Sequence, residues 1–250
     1  MKRAWLAARS AILWAASLLH FFIAAPILVF LGIFLNPRKT DWLQRDLSRR
    51  IVFLSGARLE VQRSPGFDPE RTCFFMVNHV NVFDPFMLYS AVPQYARGWE
   101  LESHFKIPAY GWLMKRFGNV PVPDVRRPSD LKRMWRLTQA AIDGGTSLII
   151  FPEGKRTRDG HVDEFQDGGF RVAQQLGIPI VPVSLVGSFQ LHRTGHWMLW
   201  PATVTVIIHD TIDTTAVKKN EVKQLSDRVR SMISEPVETR LKETAANSSR

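Results

Sequence analysis

The chain has 250 residues, 45% of them hydrophobic, enough to bury one substantial core and to suggest one domain plus an appendage. A formal net charge of +10 favours anionic partners, nucleic acid and lipid headgroups among them, but the basic residues are dispersed and no recognisable nucleic-acid-binding motif is present, so no nucleic acid is expected. The single cysteine, Cys73, excludes an internal disulfide, and without an H-E-x-x-H or paired-cysteine motif the scattered His161, His192, His196 and His209 specify no metal site.

From the amino terminus, residues 11–35 run without a formal charge, about 25 residues and long enough to cross a bilayer. Lys2, Arg3 and Arg9 precede the run and Arg38 and Lys39 follow it, which leaves orientation open. The segment is too long for a cleaved signal peptide. It either spans or, broken at Pro26, lies as two shorter helices in one leaflet. Next, residues 41–54 place Trp42, Leu43, Leu47, Ile51 and Leu54 at helical spacing with Arg45, Arg49 and Arg50 away from them. Such a helix suits either a lipid surface or packing on the domain that follows.

Beyond this, strand-like and helix-like units alternate, as an α/β fold requires. Strands are expected at 73–77, 97–101, 146–151, 180–186 and 203–209, and helices at 110–117, at 129–142 capped by Ser129 and closed by Gly144-Gly145, at 170–176 stopped by Gly177, and from 217 to about 241. The expected organisation is membrane-anchoring helices over 1–56, an α/β domain over 57–244 and a disordered tail over 245–250. The sheet is expected to be mixed and mostly parallel, flanked by helices. Trp197, Met198, Leu199 and Trp200 form an apolar patch between two strands, readable as core or as a lipid-facing surface.

Two blocks carry chemistry. The first, Asn78-His79-Val80-Asn81-Val82-Phe83-Asp84, offers an imidazole able to accept a hydroxyl proton near neutral pH. Asp84-Pro85 reads as a helix start with Asp84 as N-cap. A fold-back there lets the carboxylate hold one imidazole nitrogen and leave the other facing a substrate. The second block, Phe151-Pro152-Glu153-Gly154-Lys155-Arg156-Thr157, leaves the carboxyl end of a buried strand, the edge where open α/β sheets bind ligands. Arg156 presents a planar fork suited to phosphate oxygens, and Gly154 permits close backbone approach. No G-x-S-x-G elbow is present, so the nucleophile is expected to be the acceptor's own hydroxyl.

The order N-H-x-x-x-x-D, F-P-E-G-x-R and then Ile180-Val181-Pro182-Val183-Ser184 resembles the 1-acylglycerol-3-phosphate acyltransferase family of glycerolipid acyltransferases, over residues 71 to about 210. The resemblance implies His79 as base and Asp84 as its orienting acid. It implies a phosphate-gripping Arg156 with Glu153 and Gly154 shaping the site, Lys106 and Arg126 as further phosphate-facing positions, and Pro182 and Val183 toward the acyl donor. The chain departs from the family pattern at Lys155 and Thr157, where threonine and serine are common, at Val125, which shifts Arg126 by one place, and at Gln166 and Asp167, where basic residues are frequent.

The function so implied is acyl transfer from acyl-CoA or acyl carrier protein to the free hydroxyl of 1-acyl-sn-glycerol-3-phosphate, giving phosphatidic acid in phospholipid biosynthesis. The thioester is a co-substrate, and neither cofactor nor metal is expected. The partners are membrane lipid and a lysophospholipid acceptor, at the inner or cytoplasmic membrane with the catalytic domain facing the cytoplasm. The alternatives are another lysolipid acceptor, such as a lyso-ornithine lipid, and a catalytically silent lipid-binding module.

Overall fold

Runs such as Phe74-Phe75-Met76-Val77 have no polar face, so both sides must be covered, which is the situation of a parallel sheet between helical layers. The computed structural model, which describes residues 2–125 and 127–248, has that arrangement. In chain order the elements are helix α1 (Lys2–Phe34), α2 (Asp41–Leu54), strand β1 (Ala57–Arg63), β2 (Phe74–Val77), α3 (Asp84–Ala91), β3 (Ala96–Leu101), a 3-10 turn (Glu102–Lys106), α4 (Tyr110–Arg116), β4 (Val120–Val122), α5 (Pro128–Asp143), β5 (Ser147–Ile150), α6 (Gly168–Leu176), β6 (Ile180–Val186), α7 (Ser188–Leu191), β7 (Ala202–Ile208), a second 3-10 turn (Lys219–Glu221) and α8 (Val222–Ser248).

The strands form one seven-stranded sheet in the order β1-β7-β6-β2-β5-β3-β4. All pairings are parallel except β6 with β7. The carboxyl ends of β6, β2, β5, β3 and β4 therefore open on one edge. Alternation sends Phe75, Val77, Ile149, Val181 and Val183 to the face covered by α1, α2 and α3, and Phe74, Met76, Leu148, Ile150 and Ile180 to the face covered by α6 and α8. The two short or charged strands lie at the margins. β4 contains Pro121, which a sheet edge tolerates, and β1 faces solvent with Arg58, Glu60 and Gln62.

Several expectations are corrected. Pro26 does not divide the first segment, which is continuous from Lys2 to Phe34. Nor is α1 a detached appendage, because it packs on α2 and α4. Arg9 Nη1 donates to the Leu199 carbonyl (2.9 Å), Leu199 N donates to Ser10 Oγ (2.9 Å) and Trp14 Nε1 donates to the Trp197 carbonyl (2.6 Å). The tryptophan patch is thereby split, with Leu199 sealed and Trp197 outward. The opposite side of α1 leaves Ile12, Leu19, Phe22, Ile23, Phe30 and Ile33 exposed. Ser129 lies inside α5, whose N-cap is Arg127 with Pro128 in the first turn. The expected disordered tail over 245–250 is helical as far as Ser248, since Ala245 and Ala246 propagate a helix readily. Residues 249 and 250 lie outside the described residues.

The stripe on α2 packs inward through Leu47, Ile51 and Val52, leaving Trp42 and Phe53 outside. Its amino end is locked to the sheet by a buried charge. Arg97 is 1% exposed, donates through Nε to the Phe117 carbonyl (2.6 Å) and through Nη1 to the Ala96 carbonyl (2.6 Å) and Asp41 Oδ1 (3.2 Å), and lies over the Tyr95 ring at 3.9 Å. Arg45 holds the other Asp41 oxygen (2.6 Å) and reaches the Val92 and Gln94 carbonyls. Removing one partner of such a pair strands a buried cation. Asp41→Ala is expected to lower the unfolding free energy by about 3 kcal/mol or more, measured by denaturant titration in detergent.

Candidate active site

The chain leaves β2 at Val77, and Asn78 extends the pairing with β6 through its side chain: its Oδ1 accepts from Leu185 N (2.8 Å) and its Nδ2 donates to the Leu185 carbonyl (3.2 Å). His79 follows, at the carboxyl edge of the sheet. Asp84 opens α3 but does not cap it. Phe83 occupies the N-cap, without a side-chain cap. The carboxylate instead turns back, and its Oδ2 accepts from Val80 N (2.6 Å), Asn81 N (2.8 Å) and His79 Nδ1 (2.9 Å). Backbone amides of its own loop thus take the place of helix-capping donors, and the six residues close into a ring around one oxygen. Because a carboxylate only accepts, the imidazole proton belongs on Nδ1, and Nε2 carries the free lone pair.

The second block clasps His79 from below. Glu153 Oε1 accepts from His79 N (2.7 Å) and its Oε2 from Asp163 N (3.0 Å), while Thr157 N donates to the His79 carbonyl (2.9 Å). Phe151 stacks on the imidazole with ring centroids 4.0 Å apart. His79 remains 19% exposed and so can be reached, whereas Asp84 is fully buried. Burial also pushes the Glu153 carboxyl up to about 7.

Gly154 turns the loop at φ 70°, against the side chain of Gln166. Two residues later Arg156 is exposed and makes no hydrogen bond or ion pair among the described residues, although its charge reaches His192. Burial holds the His192 imidazole below its ordinary range, and its ring lies edge-on to Phe83 and Trp14.

Of the expected site residues, His79, Asp84, Glu153, Gly154 and Arg156 are brought together. Lys106 ends the 3-10 turn after β3, exposed and on the same sheet edge but beyond β5. Arg126 lies outside the described residues. Pro182 and Val183 are buried inside β6, paired with Met76 and Val77, where they support the strand beneath His79. The sequence reading passed over Asn81 and Ser188. Ser188 begins α7 after Gly187, whose φ of 91° and near contact with the Thr203 carbonyl require glycine. Its Oγ lies 2.5 Å from Asp84 Oδ1 and 2.6 Å from Asn81 Nδ2. Beside Phe151 a narrow crevice is lined by Pro85, Phe86, Trp99, Leu113, Met114 and Ile149.

A family model described as Acyltransferase matches residues 40–186. A chloroplastic 1-acyl-sn-glycerol-3-phosphate acyltransferase of Brassica napus is 35% identical over 144 residues, covering 56% of this chain and 40% of that protein. A 1-acyl-sn-glycerol-3-phosphate acyltransferase of Pseudomonas aeruginosa is 25% identical over 230 residues, covering 90% of this chain and 85% of that protein. The chain spans less than half the length of the Brassica relative and of a Chlamydomonas reinhardtii relative, 40% and 43% respectively. Among solved structures, the 1-acyl-sn-glycerophosphate acyltransferase PlsC of Thermotoga maritima superposes with a TM-score of 0.80 at 21% identity over 96% of this chain and 97% of that one. At that identity the likeness is one of fold.

Glu153 makes stability depend on pH in a stated direction. Its carboxyl ionises near 4.5 when free and near 7 when folded. Between those values the native state holds a proton that the unfolded state has released, so stability falls as pH rises through this window and is level above it. Relative to Glu153→Gln, the wild-type protein is expected to lose roughly 3 kcal/mol between pH 4.5 and pH 8, read from parallel denaturant titrations.

Proposed function

Because the chain belongs to the acyltransferase family, we propose that it transfers a fatty acyl group from a thioester, acyl-CoA or acyl carrier protein, to the free hydroxyl of 1-acyl-sn-glycerol-3-phosphate, making phosphatidic acid. The observation that carries this reading is the pairing of a base with an anion receptor in one loop system. Asp84 holds His79 Nδ1 (2.9 Å), so Nε2 is left without a partner among the described residues, and the loop that clasps the His79 backbone presents the Arg156 guanidinium, likewise unpaired among them. A base whose Nε2 meets no serine or cysteine side chain among the described residues suits attack by a substrate hydroxyl. An unpaired arginine beside it suits that substrate's phosphate.

In the proposed step the acceptor oxygen attacks the thioester carbonyl while its proton passes to His79 Nε2. Asp84 stabilises the imidazolium that forms. The tetrahedral adduct collapses with cleavage of the C–S bond, the new ester remains on the lipid, and the sulfur departs as a thiol carrying the proton back from His79. Arg156 holds the phosphate throughout.

The acceptor is a membrane lipid, and α1 supports a membrane location. One side of α1 is docked on the domain and the other presents a row of large apolar side chains, so we assign it to lie along the cytoplasmic surface of the membrane. A helix bonded to the domain near Leu199 cannot also cross the bilayer without breaking those contacts. Replacing Phe22, Ile23 and Phe30 by lysine is expected to release the protein from vesicles, measured by co-sedimentation.

The chemistry is tested with a panel of acyl thioesters and lysolipids, the product being identified by mass. Lysophosphatidic acid is expected to be the preferred acceptor. His79→Ala is expected to lower turnover about 100- to 10,000-fold, and Arg156→Ala to raise the acceptor KM about tenfold or more. Failure of the purified protein to consume any thioester with every acceptor would defeat the reading.

A further inference from the structure

We infer that Ser188 is a positioning residue for the His79–Asp84 pair, its hydroxyl fixing the carboxylate in the orientation the imidazole requires, with Asn81 fixing the hydroxyl in turn. The inference rests on His79 acting as the base.

Asp84 is fully buried, so each of its oxygens needs a donor from the protein. Oδ2 receives three, from His79 Nδ1, Val80 N and Asn81 N. All three lie on the short loop that Asp84 itself closes, and they shift with that loop. Oδ1 receives one among the described residues, from Ser188 Oγ at 2.5 Å, 104 residues away in sequence. Ser188 is thus the bond that references the carboxylate to the sheet rather than to its own loop.

The direction of every proton in this chain is set. Asp84 accepts, so Ser188 Oγ must donate. The lone pair left on that oxygen accepts from Asn81 Nδ2 (2.6 Å), which also donates to the Ser188 carbonyl (2.9 Å). Asn81 cannot be turned over, because its Oδ1 accepts from Phe83 N (2.7 Å). The donations therefore run from the Asn81 amide through the Ser188 hydroxyl to the Asp84 carboxylate, on whose other oxygen the His79 Nδ1 donation converges. Hydrogen bonds of this kind reinforce one another in a dry interior. Gly187 supplies the backbone turn, for a Cβ there would stand 2.3 Å from the Thr203 carbonyl oxygen. Without the hydroxyl, Oδ1 is an anionic oxygen with no donor among the described residues. The carboxylate then rotates toward other donors, and Nδ1 loses the alignment that leaves Nε2 facing the acceptor.

The test measures turnover of lysolipid with an acyl thioester, beside thermal unfolding of each variant. Ser188→Ala is expected to lower kcat about 10- to 100-fold, the value of one hydrogen bond to a charged group, with KM for both substrates within about twofold. Ser188→Thr is expected to recover most of that loss. In an Asp84→Asn background, where no carboxylate remains to orient, Ser188→Ala is expected to cost less than about threefold more. A wild-type kcat in folded Ser188→Ala, or an undiminished loss in the Asp84→Asn background, overturns the inference. If Ser188→Ala does not fold, Ser188→Cys decides: its thiol is a weak donor, so a lowered kcat in the folded variant supports the inference and a wild-type kcat overturns it. His79→Ala is assayed in parallel. Should it keep full turnover, the base assignment fails and takes this inference with it, whereas an inactive His79→Ala beside a fully active Ser188→Ala defeats this inference alone.

Discussion

An ionised carboxylate with no exposed surface must be surrounded by donors, and Asp84 obtains its donors by bending the chain around itself. That one requirement shapes the neighbourhood. It pulls the amides of Val80 and Asn81 back toward the start of α3, makes the six-residue loop a closed ring and aims His79 outward with its proton on Nδ1. It also recruits Ser188 from the far end of β6. An acid that could point into water would need none of this, and the imidazole it holds would be free to turn.

The sheet supplies what the loop cannot. Parallel strands place the ends of β2, β5 and β6 on one edge in adjacent positions, so the histidine, the Phe151–Thr157 loop and Ser188 meet although the sequence separates them widely. Glu153 does for the His79 backbone what Asp84 does for its ring: each of its oxygens accepts from one backbone amide, His79 N and Asp163 N. His79 and Arg156 thus stand at the surface of a cage whose bars are buried acids and backbone amides. The basic groups able to meet a phosphate stay outside it.

The parts legible in sequence were those written locally. The wholly apolar 73–77 run and the nearly apolar 180–186 run announced central strands, and the two motif blocks announced the imidazole and the guanidinium. β1 was passed over although Ala57, Leu59 and Val61 alternate with Arg58, Glu60 and Gln62, because the intervening charges resemble a linker. β4 was hidden by Pro121 and a length of three residues. Asp84 read as an N-cap because Asp-Pro usually is one; only the closed loop shows its carboxylate turned the other way. That Pro182 and Val183 are sealed inside β6 was not legible, because motif identity does not state which face of a strand is covered. Ser188 was out of reach altogether, since nothing in a glycine-serine pair after a strand says which carboxylate, 104 residues earlier, lies above it.

The bonds from Arg9, Ser10 and Trp14 to the segment around Leu199 reach close to the reactive loop. Trp14 also touches Phe83 (5.1 Å between ring centroids), and Thr194 in the same segment donates to the Val80 carbonyl (2.7 Å). The amino-terminal helix is therefore part of the scaffold of the site. Trimming it to obtain a more soluble protein would strip hydrogen bonds from the residues that brace the histidine. Loss of activity in such a fragment would report a slackened site, whether or not lipid remained within reach.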